Sequence, residues 1–172
     1  GASNKGSVSG HNIAVVSIHG QGAPSLMSAR LVDLLRDGKV ELVVSKAEKD
    51  PAILQELATH LKAELRSVRF NACVALGNLG QKAAPCVSEL TAGLEDEDWS
   101  IRREAARSLG KMGRAAAKSV PKLSKLLKDD EVSVRKQVAI SLGEIGSASS
   151  EALSGLIDAL KDENDEVRGE AA

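Results

Sequence analysis

Five side chains in this sequence are imidazoles or thiols, the groups that most readily hold a transition metal or act as nucleophiles: His11, His19, His60, Cys73 and Cys86. A structural zinc site needs four thiolate or imidazole ligands, and a catalytic one needs three plus an open position. His11 and His19 fall in a Gly- and Ser-rich beginning, which leaves one histidine and two cysteines in the helical part of the chain. That set is one short of a structural site, and its three members are not read as a catalytic ligand set. Both cysteines lie in helical pattern, where a free thiol acts as a small hydrophobe. Two are too few for a disulfide framework, so a reducing, cytoplasmic setting is expected. "GQG" at Gly20 is not a phosphate loop, because no Gly-Lys-Ser/Thr and no strand–helix unit accompany it. No Ser-His-Asp set can be assembled. The residues therefore predict no catalytic apparatus, no metal and no cofactor.

Charge on helices is the remaining chemistry. Arg103, Arg107 and Lys111 recur every fourth residue, which puts them on one helix face as a basic ridge. The chain as a whole has a formal net charge of −1 and a pI near 6.4, so it has no general attraction for nucleic acid or anionic lipid. Of its 172 residues 42% are hydrophobic and only 1% aromatic, Phe70 and Trp99 being the two. A core of Leu, Val, Ile and Ala suits closely packed helices better than a sheet sandwich. "IAVVSI" at Ile13 to Ile18 is far too short to span a bilayer, and it lacks the basic flank of a signal peptide.

The elements that position these residues repeat. Gly77, Gly110 and Gly143 are spaced by 33 residues, as are Gly80, Gly113 and Gly146. Val68, Ile101, Val134 and Val167 keep the same interval, and so do Arg69, Arg102, Arg135 and Arg168. Upstream, Leu57, Leu90, Leu123 and Leu156 follow it without a gap. Each unit reads as two helices. Val87, Leu90 and Leu94 make the apolar face of the first, and Ile101, Ala105, Leu109 and Met112 that of the second. An acidic turn, "EDED" in one copy, joins them. Gly113 follows the last apolar residue, where a left-handed cap favours glycine. Gly110 lies inside the last turn at a cost of about 1 kcal/mol, which predicts tight packing there. One helix pair cannot bury its own apolar faces, so each copy serves as a wall of its neighbour.

This pattern, with "VR", "AA" and "LG" at fixed offsets, resembles the HEAT family, and most of all the HEAT-like repeats of phycobilisome lyases, over about Asp50 to Ala172. The resemblance implies an all-α, right-handed solenoid of helix pairs with a 33-residue period. It also implies a ladder between repeats, in which a turn aspartate meets an arginine early in the second helix. The matching residues are Asp96, Asp129 and Asp162 with Arg102, Arg135 and Arg168. In the first unit Ala63 replaces the aspartate, so Arg69 is expected to lack that partner, with Glu64 as a substitute. Deoxyhypusine hydroxylase uses the same repeats with His-Glu pairs on the second helices. The matching pairs here are Arg103–Glu104, Lys136–Gln137 and Phe70–Asn71, which removes its iron ligands. DNA alkylation repair glycosylases share the fold and use Trp and Asp, as Trp99 and Asp98 do in type. The acidic turns "EDED" and "KDENDE" oppose phosphate binding.

The units are expected at about 50–82, 83–115, 116–148 and 149–172, the last cut within its second helix, as in a fragment of a longer protein. Residues 24–49 read as a degenerate helical unit, with Pro24 at a helix start and Gly38 after its end; "VELVV" within it is also compatible with a strand. Residues 1–23 read as a flexible lead, part of it tag-like.

The functional expectation is a non-enzymatic scaffold or adaptor that binds a peptide or helix of another protein. The candidate surface is the face of the second helices: Phe70, Arg103, Arg107, Lys111, Lys136 and Ile140, with Trp99 at its edge. The same residues are also what a solvated helix face would carry. The alternatives are a subunit of a bilin lyase and a structural subunit of a larger assembly.

Overall fold

The computed structural model describes residues 26–146 and 152–172. The expected lead, with His11, His19 and "GQG", and the junction around Ser149 lie outside the described residues. Described helices are α1 (Leu26–Arg36), α2 (Val40–Ala47), α3 (Pro51–Thr59), α4 (Arg66–Leu79) and α5 (Val87–Ala92). They continue with α6 (Trp99–Lys111), α7 (Val120–Leu126), α8 (Val132–Ile145), α9 (Leu153–Ala159) and α10 (Asp165–Ala171). "VELVV" is helical, in α2. The described residues form an all-helical repeat solenoid.

Local chemistry sets the boundaries. Asp50 caps α3 through Ala52 N–H at 2.9 Å, with Pro51 in the first helical position, where its missing N–H costs nothing. Asp98 caps α6 through Ser100 N–H at 2.9 Å. At the far ends Gly80, Gly113 and Gly146 have φ of 53°, 57° and 76°, a left-handed turn that closes the helix. Behind the first two, Gly80–Cys86 and Gly113–Ser119 form tight 3-10 segments that carry the chain back to the next first helix.

The second helices pack in chain order, α4 on α6, α6 on α8 and α8 on α10, and α2 takes the same place against α4. The aliphatic positions at the 33-residue interval lie between them: Val68, Ile101, Val134 and Val167 are all buried. Asn71 of α4 donates to Leu35 O at the end of α1, 2.6 Å away, so the irregular first pair is tied to the regular ones.

Two features register one unit on the next. The first is glycine against serine. A Cβ on Gly77 would lie 3.2 Å from the Cα of Ser108 on α6, and on Gly110 3.0 Å from the Cα of Ser141 on α8. With no side chain of its own, each glycine lets the serine of the next helix lie directly against its backbone. The Ser108 hydroxyl uses that closeness to donate to Cys73 O of α4 at 2.9 Å. Gly143, the third copy, has nothing within 4 Å of the same point.

The second is the arginine ladder, and here one expectation is overturned. Arg69 has a carboxylate partner: its Nε reaches Asp96 of the next unit's turn at 2.8 Å. Arg102 pairs likewise with Asp129, and Arg135 with Asp162, each at 2.8 Å. Each arginine thus reaches forward, so Ala63 deprives it of nothing. Its remaining nitrogen holds its own turn: Arg69 donates to the carbonyls of Ala63 and Glu64, both at 3.0 Å, and the Glu64 carboxylate is not used. Asp129 in turn accepts the Glu131 N–H at 3.0 Å. Burial pushes Asp129 up, but the Arg102 hydrogen bond, the Glu131 N–H and the nearby positive charges carry it below the ordinary carboxylate range. The Arg135 hydrogen bond does the same for Asp162 against a smaller desolvation.

Candidate partner-binding face

The candidate residues come from successive second helices and separate into two groups. Arg103 and Arg107 of α6 with Lys136 and Ile140 of α8 line one depression of about 370 Å³, closed at the far side by Glu166 of α10. Phe70 is partly buried against the core on α4, and Lys111 lies toward the end of α6, where it donates to Asn78 Oδ1 at 3.1 Å. Neither lines the depression.

Each cation in the depression has a partner that spacing alone conceals. The Arg103 guanidinium lies over the Trp99 ring, 5.4 Å from its centroid, a cation–π contact one turn apart on α6. Trp99 is itself 39% exposed, so the pair forms an accessible shelf. Arg107 reaches back to Glu104 Oε1 at 3.3 Å, and that glutamate is buried. Lys136 Nζ meets Glu166 Oε2 of the next unit at 2.6 Å. Hydrogen bonding to Glu166 raises the Lys136 ammonium above its ordinary value. The basic ridge is therefore a mixed strip of two carboxylate-paired cations, a guanidinium stacked on an indole and an aliphatic side chain. Glu104, Ser133, Gln137 and Glu166, which spacing did not single out, complete its lining.

The edge formed by the inter-helix turns has the opposite character. A depression of about 490 Å³ is lined by Asp129, Asp130, Asp158, Asp162 and Glu163, with Lys128 paired to Asp158 at 3.5 Å and Arg135 engaged in the ladder. Asp98, on the same edge, is held down to about 2 by hydrogen bonds from Ser100 and Arg66. Among the described residues no group of three His, Cys, Asp or Glu side chains is placed to hold a metal ion, and no helix is long and apolar enough to cross a membrane. Cys73 and Cys86 are buried free thiols; burial raises both, Cys86 to about 11. His60 is buried with Nε2 unpartnered, and desolvation lowers its pKa.

The family model for HEAT repeats matches residues 87–172, from the start of α5 through α10. The chain belongs to the HEAT repeat family. No curated protein matches it in sequence. Solved HEAT and armadillo-type structures superpose on it with little identity. The complex of CpcE and CpcF of phycocyanin lyase from Nostoc sp. PCC7120 gives a TM-score of 0.64 at 24% identity, over 92% of this chain and 67% of that one. A designed armadillo repeat protein in complex with the peptide (KR)4 gives 0.63 at 20%, over 87% and 75%. An archaeal HEAT-like repeats protein from Thermococcus onnurineus NA1 gives 0.62 at 17%, over 84% and 62%. At these identities the likeness establishes the HEAT solenoid and nothing about a shared ligand.

Proposed function

We propose that this HEAT protein is a non-enzymatic adaptor whose second-helix face binds a peptide or helix from another protein. The observation that carries the reading is the depression lined by Arg103, Arg107, Lys136 and Ile140, flanked by the exposed Trp99. It offers one aliphatic side chain, Ile140, among polar and charged neighbours, with cations and an exposed indole beside it, residue types enriched at protein-recognition hot spots. Partner acids would compete with Glu104 and Glu166 for the same cations, so the favoured ligand is a segment that alternates acidic and apolar residues. The acidic turn edge argues against nucleic acid as that ligand. Peptide binding by the designed armadillo protein supports the use of such a solenoid surface.

The test is an array of acidic–apolar peptides against the purified chain, compared with Arg103→Ala and Lys136→Ala. Loss of binding with unchanged far-UV circular dichroism supports the face, and undiminished binding rejects it. Arg107 is a poorer site for charge reversal, because a glutamate there would oppose the buried Glu104.

Similarity to the phycocyanin lyase complex favours a second reading, a subunit of a bilin lyase. Visible absorbance on mixing with a free bilin separates the two: a shifted, protein-bound spectrum supports the lyase and counts against the adaptor.

A further inference from the structure

Lys136 and Glu166 are one contact of a series that the 33-residue interval carries along the second helices. Glu166, in the first turn of α10, meets Lys136 Nζ of α8 at 2.6 Å. One unit earlier the same two positions are held by Arg103 on α6 and Ser133 in the first turn of α8. Both line the depression of about 370 Å³. The cation is kept there and the carboxylate is not. Arg103 lies over the Trp99 ring, and among the described residues it has no carboxylate partner. Ser133 is exposed, and among the described residues its hydroxyl makes no hydrogen bond. Another unit earlier the positions are Phe70 and Ser100, and Ser100 is buried and bonded to Arg66 at 2.7 Å. The series therefore runs from a contact with no cation at the first position, through one with a cation alone, to one with the ion pair complete.

We propose that Ser133 marks a seat for a carboxylate from a partner polypeptide, an aspartate or glutamate side chain that pairs with Arg103 as Glu166 pairs with Lys136. The seat rests on the adaptor role proposed for this face and fixes where the partner's acid goes. Charge defines the ligand. Arg107 is already paired with Glu104 and Lys136 with Glu166, so Arg103 is the cation of the depression left to be balanced. One carboxylate balances it, whereas a phosphate dianion would carry excess negative charge beside Glu104 and Glu166. Size agrees: serine leaves open the space that a glutamate occupies in the next unit, and its hydroxyl can donate to an incoming oxygen. Trp99 and Ile140 lie beside the seat, so residues next to the acid in the partner would meet an indole and an aliphatic side chain. Covering the pair in this way also removes it from water, which strengthens it.

Two arms test the seat, both with the full chain. The first needs no peptide. Ser133→Glu supplies the carboxylate from within, and NMR should find its pKa about half a pH unit below the value in the same variant carrying Arg103→Ala. Identical values in the two backgrounds overturn the seat. The second arm uses the acidic–apolar peptides that the parent chain binds. Ser133→Glu should weaken them about tenfold more than Ser133→Gln, which has the same size and no charge. Replacing the peptide's acid by its amide should remove that difference. Equal losses from the two variants keep the adaptor and overturn the seat. If the introduced carboxylate couples to Arg103 and no peptide binds the parent chain, the adaptor fails, and a partner polypeptide as the source of the carboxylate fails with it.

Discussion

The seam between α6 and α8 and the outer face of α9 and α10 are written in the same residue types at the same intervals, and they behave differently. At the inner seam Arg102 is doubly bonded to Asp129, Gly110 lies against Ser141, and Leu127 is buried. At the outer face Arg168 and Leu160 are exposed. A repeat residue therefore encodes half of a contact, and its energetic value depends on whether the other half is present. The same substitution at equivalent positions should have different consequences along the solenoid, which gives a direct handle on the account.

The ladder should show the largest contrast. Arg135 is buried and Asp162 largely so, and Arg135→Ala leaves that carboxylate without its main partner and should cost about 3 kcal/mol in urea unfolding. Arg168→Ala, on the exposed face, should fall within about 0.5 kcal/mol of the parent. Equal losses at both would mean that the seam is not what stabilises the arginines.

Acid should attack the inner ladder selectively. Asp129 and Asp162 titrate below their ordinary value, so the unfolded chain takes up protons first as pH falls. Their stabilisation is complete above about pH 4 and is lost as pH drops through the folded values. Asp162→Asn should flatten that acid limb of the melting temperature. His60 contributes with the same sign at higher pH: its lowered pKa means stability is lost as pH falls below about 6.5, and His60→Leu should remove that slope.

The smallest effects belong to the candidate face. Arg103→Ala should leave stability nearly unchanged but uncover the Trp99 ring, shifting its emission to the red and raising acrylamide quenching. An unaltered spectrum would dissolve the shelf described for that face. The buried Cys73 and Cys86 should resist alkylation at pH 8 in the folded chain and react readily in urea.

The fold was legible because packing selects the same side-chain size at the same place in every unit; Val68, Ile101 and Val134 announce both the interval and the buried face. The 3-10 segments Gly80–Cys86 and Gly113–Ser119 were not, since such turns leave no hydrophobic period. The ladder residues were visible but not their direction. An offset cannot tell whether Arg69 meets its own turn or the next, and the structure shows that it holds both. At the candidate face, positive charge was legible and its neutralisation was not. Glu166 reaches Lys136 from another unit, and Glu104 reaches Arg107 backwards along its own helix.

The central claim is that neighbouring units are joined through registered contacts, and three alanines test it most directly. Gly77→Ala and Gly110→Ala place a Cβ against the backbone of Ser108 and Ser141 and should each cost about 1–3 kcal/mol. Gly143→Ala meets open space within α8 and should stabilise the chain by about 0.5–1 kcal/mol through helix propensity. Urea unfolding of the three variants should therefore show two losses and one gain. A uniform change of the same sign at all three glycines would contradict the account.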